Sequence, residues 1–138
     1  MGKILKVKDE DIVEDESIYG YKGDGCLHIL DNKENAEIIE SKSFLKNKRL
    51  VSVCLPEGIK HIGPLSFAYC ENLMEIVLPT TVKRSVPSAF RGTKLVYKSK
   101  LKNGKTLLST YDASKVSVDK EWDEYSVVRT RKIKGKEF

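Results

Sequence analysis

Histidine and cysteine are the residues of this chain that could most readily carry out nucleophilic or metal chemistry. The sequence holds two histidines and three cysteines: His28, His61, Cys26, Cys54 and Cys70. A catalytic cysteine or serine needs a neighbouring base and a group that orients this base, and a structural zinc site needs four ligands at close spacing. Neither pattern occurs, and no glycine-rich phosphate loop precedes a helix. We therefore predict no catalytic residue, no metal and no cofactor, and expect a protein that is not an enzyme.

Cysteine usage and hydropathy indicate the compartment. An odd number of irregularly spaced cysteines is not a disulfide framework, and reduced thiols are typical of the cytosol. No apolar run of a secretory signal follows Met1, and no stretch approaches the roughly 18 apolar residues of a membrane helix. We expect a cytoplasmic protein that does not bind membranes.

Basic residues near the C-terminus are the stronger candidates for binding. Residues 91–138 hold 13 Lys/Arg and 6 Asp/Glu, a net charge of +7, whereas residues 1–90 carry −2. The candidate binding residues are Lys98, Lys100, Lys102, Trp122, Tyr125, Arg129, Arg131, Lys132 and Lys134. If Arg129 and Arg131 lie on a strand, they share one face. Such a basic surface with nearby aromatic rings could hold a phosphate backbone or an acidic protein, and a disordered lysine tail that aids solubility is the alternative.

The elements that must position these residues follow from an internal repeat. Residues 50–67 align with residues 73–90 at an offset of 23, which places Leu55 on Leu78 and Phe67 on Phe90. A further step of 23 toward the N-terminus places Phe44 under Phe67 in a weaker copy. Such a period lies within the range of leucine-rich repeats, whose copies stack on one another.

Each copy contains a strand whose alternate residues point in opposite directions. Val53 and Leu55 are the expected inward positions. The outward positions, which we expect to form an exposed face that binds a partner, are Ser52, Cys54, Glu75 and Val77. Neighbouring strands should pair in a parallel ladder about 4.8 Å apart.

The repeat resembles the BspA-like leucine-rich-repeat family. Residues 66–73 carry its Phe-x-x-Cys-x-x-Leu element whole, through Phe67, Cys70 and Leu73. The match is close over residues 50–96 and loose over residues 27–49. The resemblance implies an α/β solenoid that is mostly β, a short right-handed coil of about three repeats with a parallel strand ladder. Family members are often surface-displayed adhesion proteins, so a surface adhesin fragment is a less favoured possibility.

We expect a single domain, residues 1–138, in three parts. Residues 1–35 should form an N-terminal cap, residues 36–96 the repeats, and residues 97–138 a basic C-terminal cap and tail. Asn103-Gly104 is a strong hairpin signal between two strand-like segments. Residues 125–131 read as a further strand, which gives a small β cap.

The leading hypothesis is a non-catalytic protein-interaction module that binds a partner protein through its repeat surface or basic cap. The alternative is a small nucleic-acid-associated protein, or an inhibitor of a nucleic-acid-processing complex of the kind that mobile elements encode. Open ends of a short coil are adhesive, so a homodimer through the coil ends is a further possibility.

Overall fold

The computed structural model describes residues 37–85, 87–115 and 127–133, and the backbone of three short strands nearer the N-terminus. These residues form strands and two short 3₁₀ helices, so the mostly β architecture predicted from the sequence is confirmed. The strands are β1 Ile4–Leu5, β2 Val13–Glu14, β3 Cys26–His28, β4 Ile38–Ile39, β5 Ser52–Cys54, β6 His61–Ile62, β7 Glu75–Leu78, β8 Arg84–Ser85, β9 Tyr97–Leu101, β10 Thr106–Ser109 and β11 Val127–Lys132. The 3₁₀ helices are Pro87–Phe90 and Ala113–Lys115. Within the described part of the chain, no helix is both long and apolar enough to span a bilayer.

A four-stranded sheet forms one side of the repeat region, which we define as residues 37–95. Its order is β1-β4-β6-β8, and all three pairings are parallel. Ile39 lies beside Ile62, and Ile62 lies beside Ser85. The offset of the sequence alignment is therefore also the step between these neighbouring strands.

A seven-stranded sheet forms the other side, in the order β11-β9-β10-β7-β5-β3-β2. Strands β3, β5 and β7 pair in parallel, and Val53 lies beside Ile76 at the same offset. The predicted hairpin is present, because β9 and β10 pair antiparallel across the turn at Gly104, whose φ is 89°. Strand β10 also pairs antiparallel with β7, and β11 pairs antiparallel with β9.

The main core lies between the two sheets. The rings of Phe44 and Phe67 stack with centroids 5.0 Å apart, and those of Phe67 and Phe90 stack 5.7 Å apart. Leu55 and Leu78 belong to the same buried cluster. Residues that the repeat alignment superposes therefore pack against one another, since equivalent positions of successive copies lie side by side.

The segments between the strands are joined from copy to copy by backbone hydrogen bonds. The amide of Lys46 donates to the carbonyl of Ala68 (2.8 Å), and the amide of Tyr69 donates to that of Arg91 (2.6 Å). Lys46, Tyr69 and Gly92 occupy equivalent positions of successive copies, and all three have positive φ, at 59°, 56° and 76°. A Cβ on Gly92 would lie 2.3 Å from Cδ1 of Tyr69, so a larger residue at this third position would displace the exposed Tyr69 ring.

Candidate functional site

The outer face of the seven-stranded sheet, the face that carries Ser52, Cys54, Glu75 and Val77, is not the open surface that the sequence predicted. Ser52, Glu75 and Val77 are at most 1% exposed, and Cys54 is half-buried. The prediction of exposure is therefore wrong for these three residues. Its physical reason is a second apolar cluster on this face, which joins Val77 to Leu101, Leu107 and Ala113, with Cys54, Tyr111 and Val127 packed against it.

Glu75 is the buried charged group of the outer face. The Tyr111 phenol donates a hydrogen bond to Glu75 Oε2 at 2.7 Å, whereas Oε1 is buried with no hydrogen-bond partner among the described residues. Burial raises the pKa of the Glu75 carboxyl, because desolvation disfavours its charged form, while the hydrogen bond from Tyr111 acts in the opposite direction. Because Ser52 and Glu75 are this deeply buried, neither side chain is accessible to a partner in this structure.

Cys70 and His61 are two of the potentially reactive side chains that the structure describes. Cys70 is buried, and its thiol donates to the carbonyl of Phe44 at 3.0 Å. Burial raises the pKa of the Cys70 thiol to about 11, partly opposed by a hydrogen bond from the Asn47 backbone, so the thiol stays protonated at neutral pH. His61 is exposed on β6. Within the described ranges, no group of three His, Cys, Asp or Glu side chains could hold a metal ion.

Four cationic side chains share the opposite, inner face of the sheet. The strand register places Lys98 beside Arg131, and Lys100 beside Arg129. All four are exposed. Because residues two apart on a strand point the same way, the four cations form a two-by-two array on one face.

The four cations lie at the end of rows of cross-strand neighbours that begin with apolar residues on β7. One row runs from Ile76 through Leu108 to Lys98 and Arg131. Ile76 and Leu108 are fully buried in the main core. Beyond β7 the sheet continues through three strands outside the repeat region, β10, β9 and β11, and on the last two its inner face is exposed to solvent. We call the array Lys98, Lys100, Arg129 and Arg131 the cationic overhang.

The overhang lines an open cleft of about 320 Å³, whose lining residues are Lys98, Ser99, Lys100, Thr106, Arg129 and Arg131. In the part of the chain that the structure describes, the salt bridges join Lys48 to Glu71 and Lys60 to Glu37, and none involves the overhang. Like charges directly opposite on neighbouring strands repel each other. The arrangement is therefore suited to an anion that lies over the array.

The other predicted basic residues do not join the overhang. Lys102 is exposed in the turn between β9 and β10. Lys132 is exposed but lies beside Tyr97, one position from Arg131, so its side chain points to the opposite face of the sheet from the overhang. The remaining candidates, Trp122, Tyr125 and Lys134, lie outside the described residues.

Sequence reasoning missed the Glu75–Tyr111 hydrogen bond and the place of Thr106 in the cleft. The bonded side chains are far apart in the sequence, and no local pattern links them. Thr106 could have been found, because the hairpin turn at Asn103-Gly104 fixes the register that sets Thr106 beside Lys100.

The repeat pattern matches that of known proteins. The family model described as "BspA type Leucine rich repeat region (6 copies)" matches residues 16–112. No curated protein matches the chain significantly. Among solved structures, the chain is similar to a leucine-rich repeat protein from Bacteroides ovatus ATCC 8483, with 16% sequence identity and a TM-score of 0.32. The alignment covers 59% of this chain and 33% of the Bacteroides chain, so the chain spans about a third of that protein's length.

Proposed function

Because the chain belongs to the BspA-type leucine-rich-repeat family, we propose that it is a non-catalytic module that binds a partner protein through a rigid surface. In this proposal the two rows of parallel strands are the two sides of a short right-handed solenoid. Residues 1–35 cap its N-terminal end, residues 36–96 form the repeats, and residues 97–138 form the basic C-terminal cap and tail of one domain.

The observation that carries the proposal is the cationic overhang. Its side chains project from two paired strands whose backbone is fixed by the hairpin and by β11. Side chains held on paired strands meet a partner with less loss of conformational freedom than side chains on a loop. The outer face is closed by its own apolar cluster, so the exposed array on the inner face is the better docking surface.

A second candidate function is association with a nucleic acid or with a nucleic-acid-processing complex. The net charge of +7 over residues 91–138 favours it, because clustered Lys and Arg side chains bind phosphates without sequence preference. Under this candidate, binding would weaken steeply as salt rises.

Affinity capture from the native host lysate, with and without nuclease, tests the two candidates. If the module binds a protein, the same partner is retained after nuclease treatment. If retention disappears with nuclease and the chain binds heparin and DNA at low salt, the second candidate replaces the first. Analytical ultracentrifugation of the purified chain separately tests the proposed homodimer through the coil ends.

A further inference from the structure

The cationic overhang lies at an edge of the seven-stranded sheet. Strand β11 pairs with β9 on one side, and among the described strands none pairs with its other side. An edge strand has a row of backbone N–H and C=O groups that can accept a further strand. The same strand carries two of the four overhang cations, so the free edge and the charge array belong to one surface.

We propose that this edge binds an acidic segment of the partner protein, which adds to β11 as an extended strand with carboxylates at alternate positions. The inference rests on the proposed interaction function and names the chemistry of the partner. Strand addition is an established mode of peptide recognition, in which main-chain hydrogen bonds supply affinity and alternate side chains supply specificity.

The spacing of the overhang suits such a segment. Arg129 and Arg131 are two positions apart on one strand, which separates them by about 6.8 Å, the distance between alternate residues of a peptide strand. Carboxylates directly opposite them would lie at cross-strand distance, where a guanidinium can bind both oxygens. Lys98 and Lys100 lie on β9, the strand next to β11 and away from the edge. Their flexible ammonium groups add positive charge beside the arginines.

The repulsion within the array favours an acidic strand over other strands. Each overhang cation on β9 faces a cation on β11, and this like-charge pairing is unfavourable until an anion is present. A neutral or basic strand would gain the main-chain hydrogen bonds without relieving this repulsion. The array therefore discriminates against such strands as well as attracting acidic ones.

Two features favour a peptide over a nucleic acid. Among the described residues, the cleft lining contains Lys, Arg, Ser and Thr side chains and no aromatic ring, whereas stacking on aromatic rings supplies much of the affinity for single strands. A nucleic acid also cannot continue the hydrogen-bond ladder of β11. In addition, Val128 on β11 has 64% of its surface exposed, which an added strand would cover in part.

The test uses two synthetic peptides of equal charge and the full chain. In the first peptide glutamate alternates with threonine, and in the second glutamate alternates with proline, which has no amide hydrogen for the ladder. Fluorescence anisotropy at low ionic strength should show the threonine peptide binding at least about tenfold more tightly, since tenfold corresponds to roughly 1.4 kcal/mol. Hydrogen exchange should show added protection of the backbone amides of β11 on binding.

Paired variants locate the binding surface. We replace both edge arginines, Arg129→Gln with Arg131→Gln. This double variant should bind the threonine peptide at least about tenfold more weakly. The matched control, Lys46→Gln with Lys83→Gln, removes the same charge from exposed positions of the repeat region and should change the affinity less than about twofold. Circular dichroism of both variants should match the unaltered chain.

Three results would overturn the inference: equal binding of the two peptides, no binding of the threonine peptide, or tighter binding of an oligothymidylate than of that peptide. The proposed interaction function is tested separately. Both the unaltered chain and the arginine variant are used to capture proteins from nuclease-treated lysate. If both capture the same protein, the interaction function is supported, but docking of that protein on β11 is rejected.

Discussion

The repeat region and the C-terminal strands β9, β10 and β11 share one sheet but differ in how its inner face is covered. In the repeat region, the inner face is apolar and buried at Ile76, and the outer face is also buried although it carries Glu75. On β9 and β11 the inner face carries Lys98 and Arg131 and is exposed, whereas on β10 it is still buried at Leu108. Strand alternation therefore assigns residues to two faces, whereas the layers packed above and below the sheet decide which face meets solvent.

The two regions also differ in what stabilises them. The repeat region is stabilised by side chains that recur at the same position of each copy and stack from copy to copy, such as Phe44 on Phe67. The C-terminal strands depend on antiparallel pairing and on the second apolar cluster with Tyr111 and Ala113. Substitutions in the two regions should accordingly differ in size, and in one case in sign.

The largest effect is expected at the centre of the phenylalanine stack. Phe67 is fully buried between the rings of Phe44 and Phe90. Phe67→Ala should lower the free energy of unfolding by about 3–5 kcal/mol, because it removes buried apolar contacts and leaves a cavity. Urea denaturation measures this loss. Val128→Ala, at an exposed position of β11, should change it by less than about 0.5 kcal/mol, and similar losses in both variants would contradict the comparison.

The next effect concerns the hydrogen bond that joins the two regions. Tyr111→Phe removes the donor to Glu75 Oε2 and should lower the free energy of unfolding by about 1.5–3 kcal/mol at a pH where the carboxyl is ionised, because the acceptor is then a buried charged group. The cost should shrink in acid as the carboxyl becomes protonated. Tyr69→Phe, at an exposed ring, is the control. A loss that does not change with pH would show that the charge of Glu75 is not involved.

Glu75 itself should give the protein a pH-dependent stability. Since burial raises the pKa of this carboxyl above its ordinary value of 4.5, the folded state binds the proton more tightly than the unfolded state. The free energy of unfolding should therefore fall as the pH rises from about 4.5 toward the raised pKa. Glu75→Gln should remove this slope, so the variant gains stability relative to the unaltered chain across that window. Parallel pH profiles of the two proteins would refute the assignment.

A fourth effect should distinguish a steric clash from backbone strain at two glycines. A Cβ on Gly63, in the repeat region, would lie 2.6 Å from the carbonyl oxygen of Ile39 and 2.8 Å from the amide nitrogen of Ser41. Gly63→Ala should cost about 1–3 kcal/mol, because these backbone atoms cannot rotate away. In the hairpin, Gly104→Ala meets only a methyl group of Thr80 at 3.4 Å and should cost about 1–2 kcal/mol through its positive φ. Thermal unfolding ranks the two, and a larger loss at Gly104 would reverse the expected order.

The smallest expected effect is an increase in stability, whereas the substitutions at Phe67, Tyr111 and the two glycines lower it. Arg131→Glu places a carboxylate beside Lys98 and should stabilise the fold by about 0.2–1 kcal/mol, because an opposite-charge pair replaces a like-charge pair. The gain should decrease as salt screens the pair. Lys132→Glu, opposite Tyr97, serves as the control and should leave stability within about 0.5 kcal/mol. A destabilised Arg131→Glu variant would mean that the overhang is not under electrostatic repulsion.

The sequence by itself determined the repeat, the inward-facing core positions of the strands and the C-terminal hairpin. Leu55, Leu78 and the three stacked phenylalanines lie in the core as their spacing predicts, because equivalent side chains of successive copies must meet when copies stack. The hairpin follows from Asn103-Gly104, since this pair favours the backbone conformation of a tight turn.

Only the tertiary structure decided which faces are covered and which charges meet. On the outer face, Tyr111 donates to Glu75 and Ala113 packs in the cluster with Val77, although both lie far along the chain from these strands. The overhang depends on the register between β9 and β11, in which Arg129 lies beside Lys100 although β10 and a further segment separate the two strands in the sequence. A periodic pattern specifies contacts between neighbouring copies, but it contains no information on segments outside the repeat that pack on it. For this reason the core could be derived from spacing, whereas the sequence identified the four overhang residues but not the register that brings them together.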